Sequence, residues 1–438
     1  MIDKTKVFIY LEEFTPRTQY IFELVFKHIY FIDFVTSNSL DELKDTELPC
    51  IQYCKSATLK KGIHISSFGL LNKSGPCDKP IIDTTAPKPK IYATLDGTFD
   101  FDLFSAIFYI VSRAEEYNPD KSKLDIHNRF KSEFSILNEL DVLHIPIVNK
   151  WLESLKQKLK DHYPSINFPK KNYTFQLSCD IDMAWSYKNK GFARNAGALL
   201  RNILTGKIVA AKDQLKVLTN TAIDPFENYD LLKSLNSNHS ILYFILLGKH
   251  GTYDKNISPP NIAFRNLIQS LRKDNQIGIH PSYDAGINKT EVENEIGLLK
   301  SILETEVLRS RQHYLKINWP KTYQLLLLSG IKHEYSLGFF DNIGFRTGLC
   351  LPYPWYDLER EEMTDLMIHP FQIMDVSLKN YLNLRPEEAL KLSIPIIKEV
   401  KKYNGDLHLI WHNSSFNGTW NNWTACLKGM IKEARSID

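Results

Sequence analysis

From residue 174 onward, apolar runs of strand length alternate with stretches at helical spacing. The segment 174–182, Thr-Phe-Gln-Leu-Ser-Cys-Asp-Ile-Asp, reads as a short apolar strand that ends on two carboxylates. The run 241–247 is unbroken in its apolar character, the mark of a strand buried on both faces. Further strands are predicted at 276–280, 308–315, 331–335, within 365–374, and at 407–411. Helical spacing falls between them, at about 262–273, 291–304, 321–329 and 386–402. In the second of these, Val292, Ile296, Leu299 and Leu303 recur on one face. Pro386 suits a first helical turn, and Gly330 suits the position after a helix end. A terminal helix is expected over about 420–437. Seven strands alternating with helices predict a parallel βα architecture, and about 265 residues fit a barrel-like domain. Active sites of such domains lie at the C-terminal ends of the strands.

The first 165 residues pattern differently. A strand is expected at 6–10 and helical periodicity at 15–30. Short alternating segments with Pro and Gly punctuation fill 50–100, and 101–117 is expected to be a strongly amphipathic helix burying Phe104, Ile107, Phe108, Ile110 and Val111. The polar stretch 161–173 holds two prolines and reads as a boundary. The division expected is therefore an N-terminal α/β accessory domain, 1–165, and a (β/α) catalytic domain, 166–438. After the first strand of the second domain comes a long excursion, 183–224, helical in parts and carrying Lys188, Lys190, Arg194 and Arg201.

Composition narrows the classes. The chain has 438 residues, 43% hydrophobic and 24% charged, as an ordinary globular protein does. Its net charge of +3, with acids and bases interspersed, leaves no nucleic-acid footprint. No apolar run reaches the roughly 18 residues of a membrane span. The start lacks a signal-peptide pattern, and the six cysteines are scattered, so reduced thiols in a cytoplasmic protein are expected.

The chemistry sits at the predicted strand ends. Residues two apart on a strand share a face, so Asp180 and Asp182 can enter one site, one for a cation and one for a proton. The alternative for such a pair is a turn or cap. His280 ends the third strand, Arg311 and His313 alternate onto one face of the fourth, Arg346 lies in the loop 341–348, and His412 follows the seventh. A carboxylate with imidazoles is a common ligand set for zinc or a similar ion. In the N-terminal domain, His127 beside Asp125 reads as a local hydrogen-bonded pair rather than a metal site.

Taken in order, these motifs resemble those of the polysaccharide deacetylase family (NodB-homology, carbohydrate esterase 4-like). Nearly the whole chain resembles a bacterial subgroup with an added N-terminal α/β domain, through Ser112-Arg113-Ala114-Glu115-Glu116-Tyr117, His280-Pro281-Ser282-Tyr283, Arg311-Gln312-His313-Tyr314, Gly344-Phe345-Arg346-Thr347-Gly348 and Trp411-His412-Asn413. The resemblance implies a distorted (β/α)7-type barrel and a hydrolase acting on non-peptide C–N bonds. Its substrate would be an acetylated glycan losing an N- or O-acetyl group, with a divalent metal, Zn2+ or else Co2+ or Mn2+. It implies Asp180 as general base, Asp182 and His280 as metal ligands, His412 as general acid, and Arg311 as orienter of the base. Arg346 is expected to join Arg311 in keeping Asp180 ionised, since a nearby positive charge lowers a carboxyl pKa.

The chain departs from the family at two points. Met183 follows Asp182 where glycine is usual. Asp284 stands where a second histidine is usual, so either Asp284 or His313 completes the metal site, with His313 preferred. The alternative reading, favoured by the missing second histidine, is a catalytically inactive carbohydrate-binding or scaffold protein of polysaccharide assembly. Trp185, Tyr283 and Trp355 are candidates for stacking on sugar rings or for ordinary packing. A glycosidase is disfavoured, because Asp180 and Asp182 on one strand are poorly placed to flank a glycosidic bond.

Overall fold

In the computed structural model, the structure describes residues 5–84 and 89–436. Residues 1–4 of the first unit, 85–88 of the punctuated stretch, and Ile437, the expected end of the last helix, lie outside the described residues.

The N-terminal part holds a four-stranded parallel sheet in the order β2-β1-β3-β4, built from β1 (Lys6–Leu11), β2 (Asp33–Ser37), β3 (Cys50–Cys54) and β4 (Ile63–Ser66). Helix α1 (Pro16–Phe22) starts where Thr15 caps it and Pro16 fills the first turn, as proline can. A single π-helical turn over Glu23–Ile29 finishes the expected helix. Helix α2 (Leu40–Asp45) and the short antiparallel pair β5 (Ile82–Asp83) and β6 (Lys90–Ile91) follow. Helix α3 (Leu103–Val111) differs from expectation. All nine of its residues are buried, so it is a core helix rather than an amphipathic one. Sequence spacing shows one apolar face, but here neighbours cover the other face too. Helices α4 (Ile136–Glu139) and α5 (Ile147–His162) complete this part.

The second part is one nine-stranded sheet in the order β12-β13-β11-β10-β9-β8-β7-β15-β14. Its strands are β7 (Thr174–Ile181), β8 (Leu242–Leu246), β9 (Gln276–His280), β10 (Arg309–Ser310), β11 (His333–Glu334), β12 (Tyr353–Asp357), β13 (Glu362–Ile368), β14 (Ile373–Met374) and β15 (Asp406–Ile410). Every pairing is parallel except β12 with β13. The helices are α6 (Phe192–Leu204), α7 (Ile208–Leu218), α8 (Tyr229–Leu235), α9 (Ile262–Arg272), α10 (Lys289–Leu303), α11 (Lys321–Leu328), α12 (Pro386–Lys402) and α13 (Trp423–Arg435).

Three expectations are corrected. The sheet has two ends, β12 and β14, so its hydrogen bonding does not close a seven-stranded barrel. The fourth strand is two residues long, because the chain leaves the ladder after Ser310 and turns through His313–Leu315. The sixth strand is split into β13 and β14 at Pro370, which has no N–H to give a ladder.

The two parts share one continuous apolar core. Tyr20 donates to the Pro354 carbonyl at 3.0 Å, and Arg17 pairs with Glu361. The largest polar junction is buried. The Arg346 side chain donates to both carboxylate oxygens of Glu116 and, at 2.9 Å, to the Gly338 carbonyl. Arg113 holds the same Glu116 at 2.6 Å and Glu115 at 2.7 Å. Burial opposes the Glu116 charge, but Arg346 and Arg113 outweigh it and pull its carboxyl down to about 2. This corrects the role expected for Arg346. Its donors are committed to Glu116 and the Gly338 carbonyl, and no hydrogen bond or ion pair joins it to Asp180 among the described residues.

A buried acid stripped of one of its cations is costly. Arg346→Met is expected to destabilise the fold by about 3–5 kcal/mol, read as a lower denaturation midpoint. Because the Glu116 carboxyl is depressed from 4.5, its contribution is complete above that pH and fades as pH falls toward 2. The stability gap between wild type and variant should therefore narrow in acid.

Candidate functional site

Strand β7 carries Ser178 and Asp180 on one face, and the chain continues one residue past its end to Asp182. His280 is the last residue of β9, and its strand pairs with β8, the neighbour of β7. Three adjacent strand ends thus converge. Asp180 is buried, and Arg311 donates to its Oδ1 at 2.7 Å. The Arg311 guanidinium also reaches Ser178 Oγ at 2.8 Å and the Tyr335 carbonyl at 3.1 Å, and lies 4.4 Å from the Phe244 ring centre. That web fixes the direction of the arginine, and through it the Asp180 carboxylate.

Asp182 Oδ1 is buried and makes no hydrogen bond among the described residues. His280 Nε2 is 3.3 Å from it and His313 Nε2 is 3.7 Å. Each imidazole is oriented from behind. His280 Nδ1 lies 2.5 Å from the Arg311 carbonyl oxygen, an acceptor only, so Nδ1 carries the hydrogen and Nε2 is the nitrogen turned to Asp182. His313 Nδ1 lies 2.7 Å from Asp254 Oδ1. Carboxylate or carbonyl partners behind a ring are the usual support of metal-binding histidines. One ligand atom from each of Asp182, His280 and His313 lies within 4.8 Å of the other two. An orphaned carboxylate oxygen facing two supported imidazoles fits a divalent cation.

His412 stands on the other side of Asp182, with Nε2 3.9 Å from Oδ2. Asp375 accepts from both its Nδ1 and its backbone N–H, each at 2.8 Å. Burial works against a charge on His412, but Asp375, Asp182 and Asp180 outweigh it and push its pKa up to about 10. His313 is likewise penalised by burial and raised, by Asp182 and Asp254, to about 9. Burial also opposes the Asp182 charge, yet His313, His280 and His412 hold its carboxyl well below the usual range.

These groups open into a cavity of about 440 Å³, also lined by Tyr253, Tyr314, Tyr381 and Arg129. Arg129 comes from the N-terminal part. It donates to the Tyr314 carbonyl at 3.0 Å and to the Tyr381 hydroxyl at 2.6 Å, and so ties two walls of the cavity together. Tyr314 and Leu315, directly after His313, both adopt left-handed backbone angles (φ 60° and 55°), which cost side-chain-bearing residues energy. The Arg129 bond helps hold that turn.

The sequence expectations now separate. Asp180, Asp182, His280, Arg311, His313 and His412 come together. Arg346 does not. Asp284 is mostly exposed and sits 3.2 Å from Lys316, so of the two candidates for third donor His313 is the one at Asp182. His313 arrives from a turn rather than from the predicted strand face. Trp185 and Trp355 are buried packing residues, and Tyr283 stacks beneath Tyr253 at 4.1 Å. Asp125 accepts from the His127 backbone rather than its ring, and the ring meets the Tyr283 hydroxyl at 2.9 Å. Asp375 was missed although Ile373-Met374-Asp375 carries the same sign as Asp180, a carboxylate ending an apolar run. Asp254 lies in an irregular polar loop where no spacing marks it.

Comparison with known proteins places only part of the chain. Residues 7–164 match the model of a family described as a family of unknown function (DUF7033). No curated protein matches the chain. Among solved structures, a candidate polysaccharide deacetylase from Mycobacterium smegmatis is 15% identical, with a TM-score of 0.40, over 62% of this chain and 87% of that one. A polysaccharide deacetylase from Bacillus cereus is 11% identical, with a TM-score of 0.28, over 60% and 86%. A carbohydrate esterase family 4 pseudoenzyme from Bacillus anthracis is 10% identical, with a TM-score of 0.29, over 60% and 61%.

Proposed function

We propose that this protein is a metal-dependent hydrolase that removes acetyl groups from a carbohydrate. The observation that carries the reading is the buried Asp182 Oδ1, without a hydrogen bond, facing Nε2 of His280 and His313. The strand-end motifs point the same way. Asp182, His280 and His313 would hold the ion, Zn2+ in preference to Co2+ or Mn2+ given two imidazoles and one carboxylate. Bound there, a divalent ion supplies Lewis acidity, polarising an acyl oxygen and lowering the pKa of a water.

The chain's own groups divide the rest of the work. Asp180, held by Arg311, takes the proton of the attacking water. Its carboxylate is fixed in direction, so no reorganisation is needed as the proton moves. His412, an imidazolium at neutral pH, donates its Nε2 proton to the leaving nitrogen or oxygen, and Asp375 keeps the ring aimed and its charge stable. Water adds to the acyl carbon, the bond to the sugar nitrogen or oxygen breaks, and acetate and the free amine or hydroxyl leave. The alternative, a catalytically silent glycan-binding or scaffold protein, was favoured by Asp284 standing where a second histidine is usual; His313 beside Asp182 supports the hydrolase reading instead.

The test of the function is acetate release from N-acetylated chitooligosaccharides and O-acetylated bacterial glycans with Zn2+, Co2+ or Mn2+ present; no release from any of them sinks the proposal. A second test uses binding alone. His313 carries a proton up to about pH 9 in the metal-free protein, and a ligand nitrogen must give that proton up. Zn2+ uptake at neutral pH should release about one proton, measured by calorimetry in buffers of different ionisation enthalpy. Apparent affinity should rise with pH and level off near pH 9. Uptake with no proton release counts against His313 as a ligand.

A further inference from the structure

The excursion between β7 and β8 folds into a helical hairpin, α6 and α7, whose amphipathicity is inside out. The Asn202 side chain of α6 donates to Gln214 of α7 at 3.3 Å, and Gln214 in turn donates to the Asn195 backbone carbonyl at 2.8 Å. Arg194 donates to the carbonyls of Lys255 and Asn256. The polar side of α6 therefore faces the protein. Its apolar side, Phe192, Leu200, Ile203 and Leu204 at helical spacing, faces outward, and no residue of α6 is buried. Phe192 is 90% exposed and Leu204 76%. The apolar surface continues across the turn to Ile208 and Val209, the latter 74% exposed. Exposed apolar surface of this extent marks an interaction site.

Charge says what covers it. Residues 188–218 hold seven basic residues and one acidic one, in a chain whose net charge is only +3. Arg201, Lys207, Lys212 and Lys216 are exposed around the apolar stripe. A second copy would set one basic hairpin against another, which repels. An anionic surface with an apolar interior is complementary on both counts. We infer that the α6–α7 hairpin is an interfacial element that lies on an anionic phospholipid bilayer, with its apolar stripe among the acyl chains and its basic residues at the headgroups. The hairpin begins at Phe192, in the same β7–β8 connection that follows Asp182, and Arg194 ties it to the Lys255 loop that lines the cavity. Docking would hold the cleft close to the membrane surface.

The experiment is flotation of the full-length protein with vesicles of phosphatidylcholine alone or mixed equally with phosphatidylglycerol. Wild type should float with the mixed vesicles, at least about tenfold more than with the neutral ones, and lose this as salt rises. Phe192→Glu/Leu204→Glu should abolish flotation, and Lys207→Glu/Lys212→Glu should reduce it about tenfold. The circular dichroism and melting of both variants should match wild type, since the altered side chains are exposed. Failure of wild type to float, equal flotation with neutral vesicles, or undiminished flotation of the Phe192→Glu/Leu204→Glu variant overturns the inference. So does a dimer in light scattering that the same variant dissociates.

Discussion

Asp180→Asn is expected to lower kcat for acetate release by about 10²–10⁴-fold, the range of a general base. Asparagine keeps the shape and can still accept from Arg311, but it cannot take a proton from water. The loss should fall on kcat, with KM close to wild type, because the proton moves only in the transition state. Metal content should be unchanged, since Asp182, His280 and His313 are intact. That combination separates the two carboxylates of one strand end. A variant within twofold of wild type would remove Asp180 from the reaction.

Asp182→Ala is expected to act through the metal. The outer partner of a metal ligand typically matters 10–100-fold in affinity. Loss of Asp182 itself should exceed about 100-fold, read by elemental analysis and by competition with a chelator. His280→Ala and His313→Ala should fall in the same class, whereas Asp284→Ala should bind as wild type does, since Asp284 is engaged with Lys316. Asp254→Asn should sit between them, because it supports His313 from behind. Equal metal affinity of Asp182→Ala and wild type would dissolve the site.

Much of this was legible in the residues because strand-end chemistry is a local signal. An apolar run that stops on Asp180, His280 or His412 announces both the strand and the direction of the side chain. What escaped notice depends on partners far away in sequence. Arg346 sits in a conspicuous Gly-rich loop, yet its direction is set by Glu116, 230 residues earlier. The polar stretch 161–173 reads as a boundary, but nothing local in the sequence shows that Arg129 of the N-terminal part reaches the cavity wall or that α3 is buried on every side. His313 reached the site for a different reason than alternation. A strained turn after a two-residue strand, rather than a pleat, brings it to Asp182. Strand β12, antiparallel at the sheet's edge, has no βα neighbour pattern to announce it.

The most direct measurement is acetate released from an acetylated glycan by one preparation of the wild-type protein as isolated, after chelation, and after reloading with Zn2+. Release that stops on chelation and returns with the metal is the expected result. A preparation that takes up Zn2+ and releases no acetate from any acetylated sugar, or one that releases it equally well when stripped, would contradict the account.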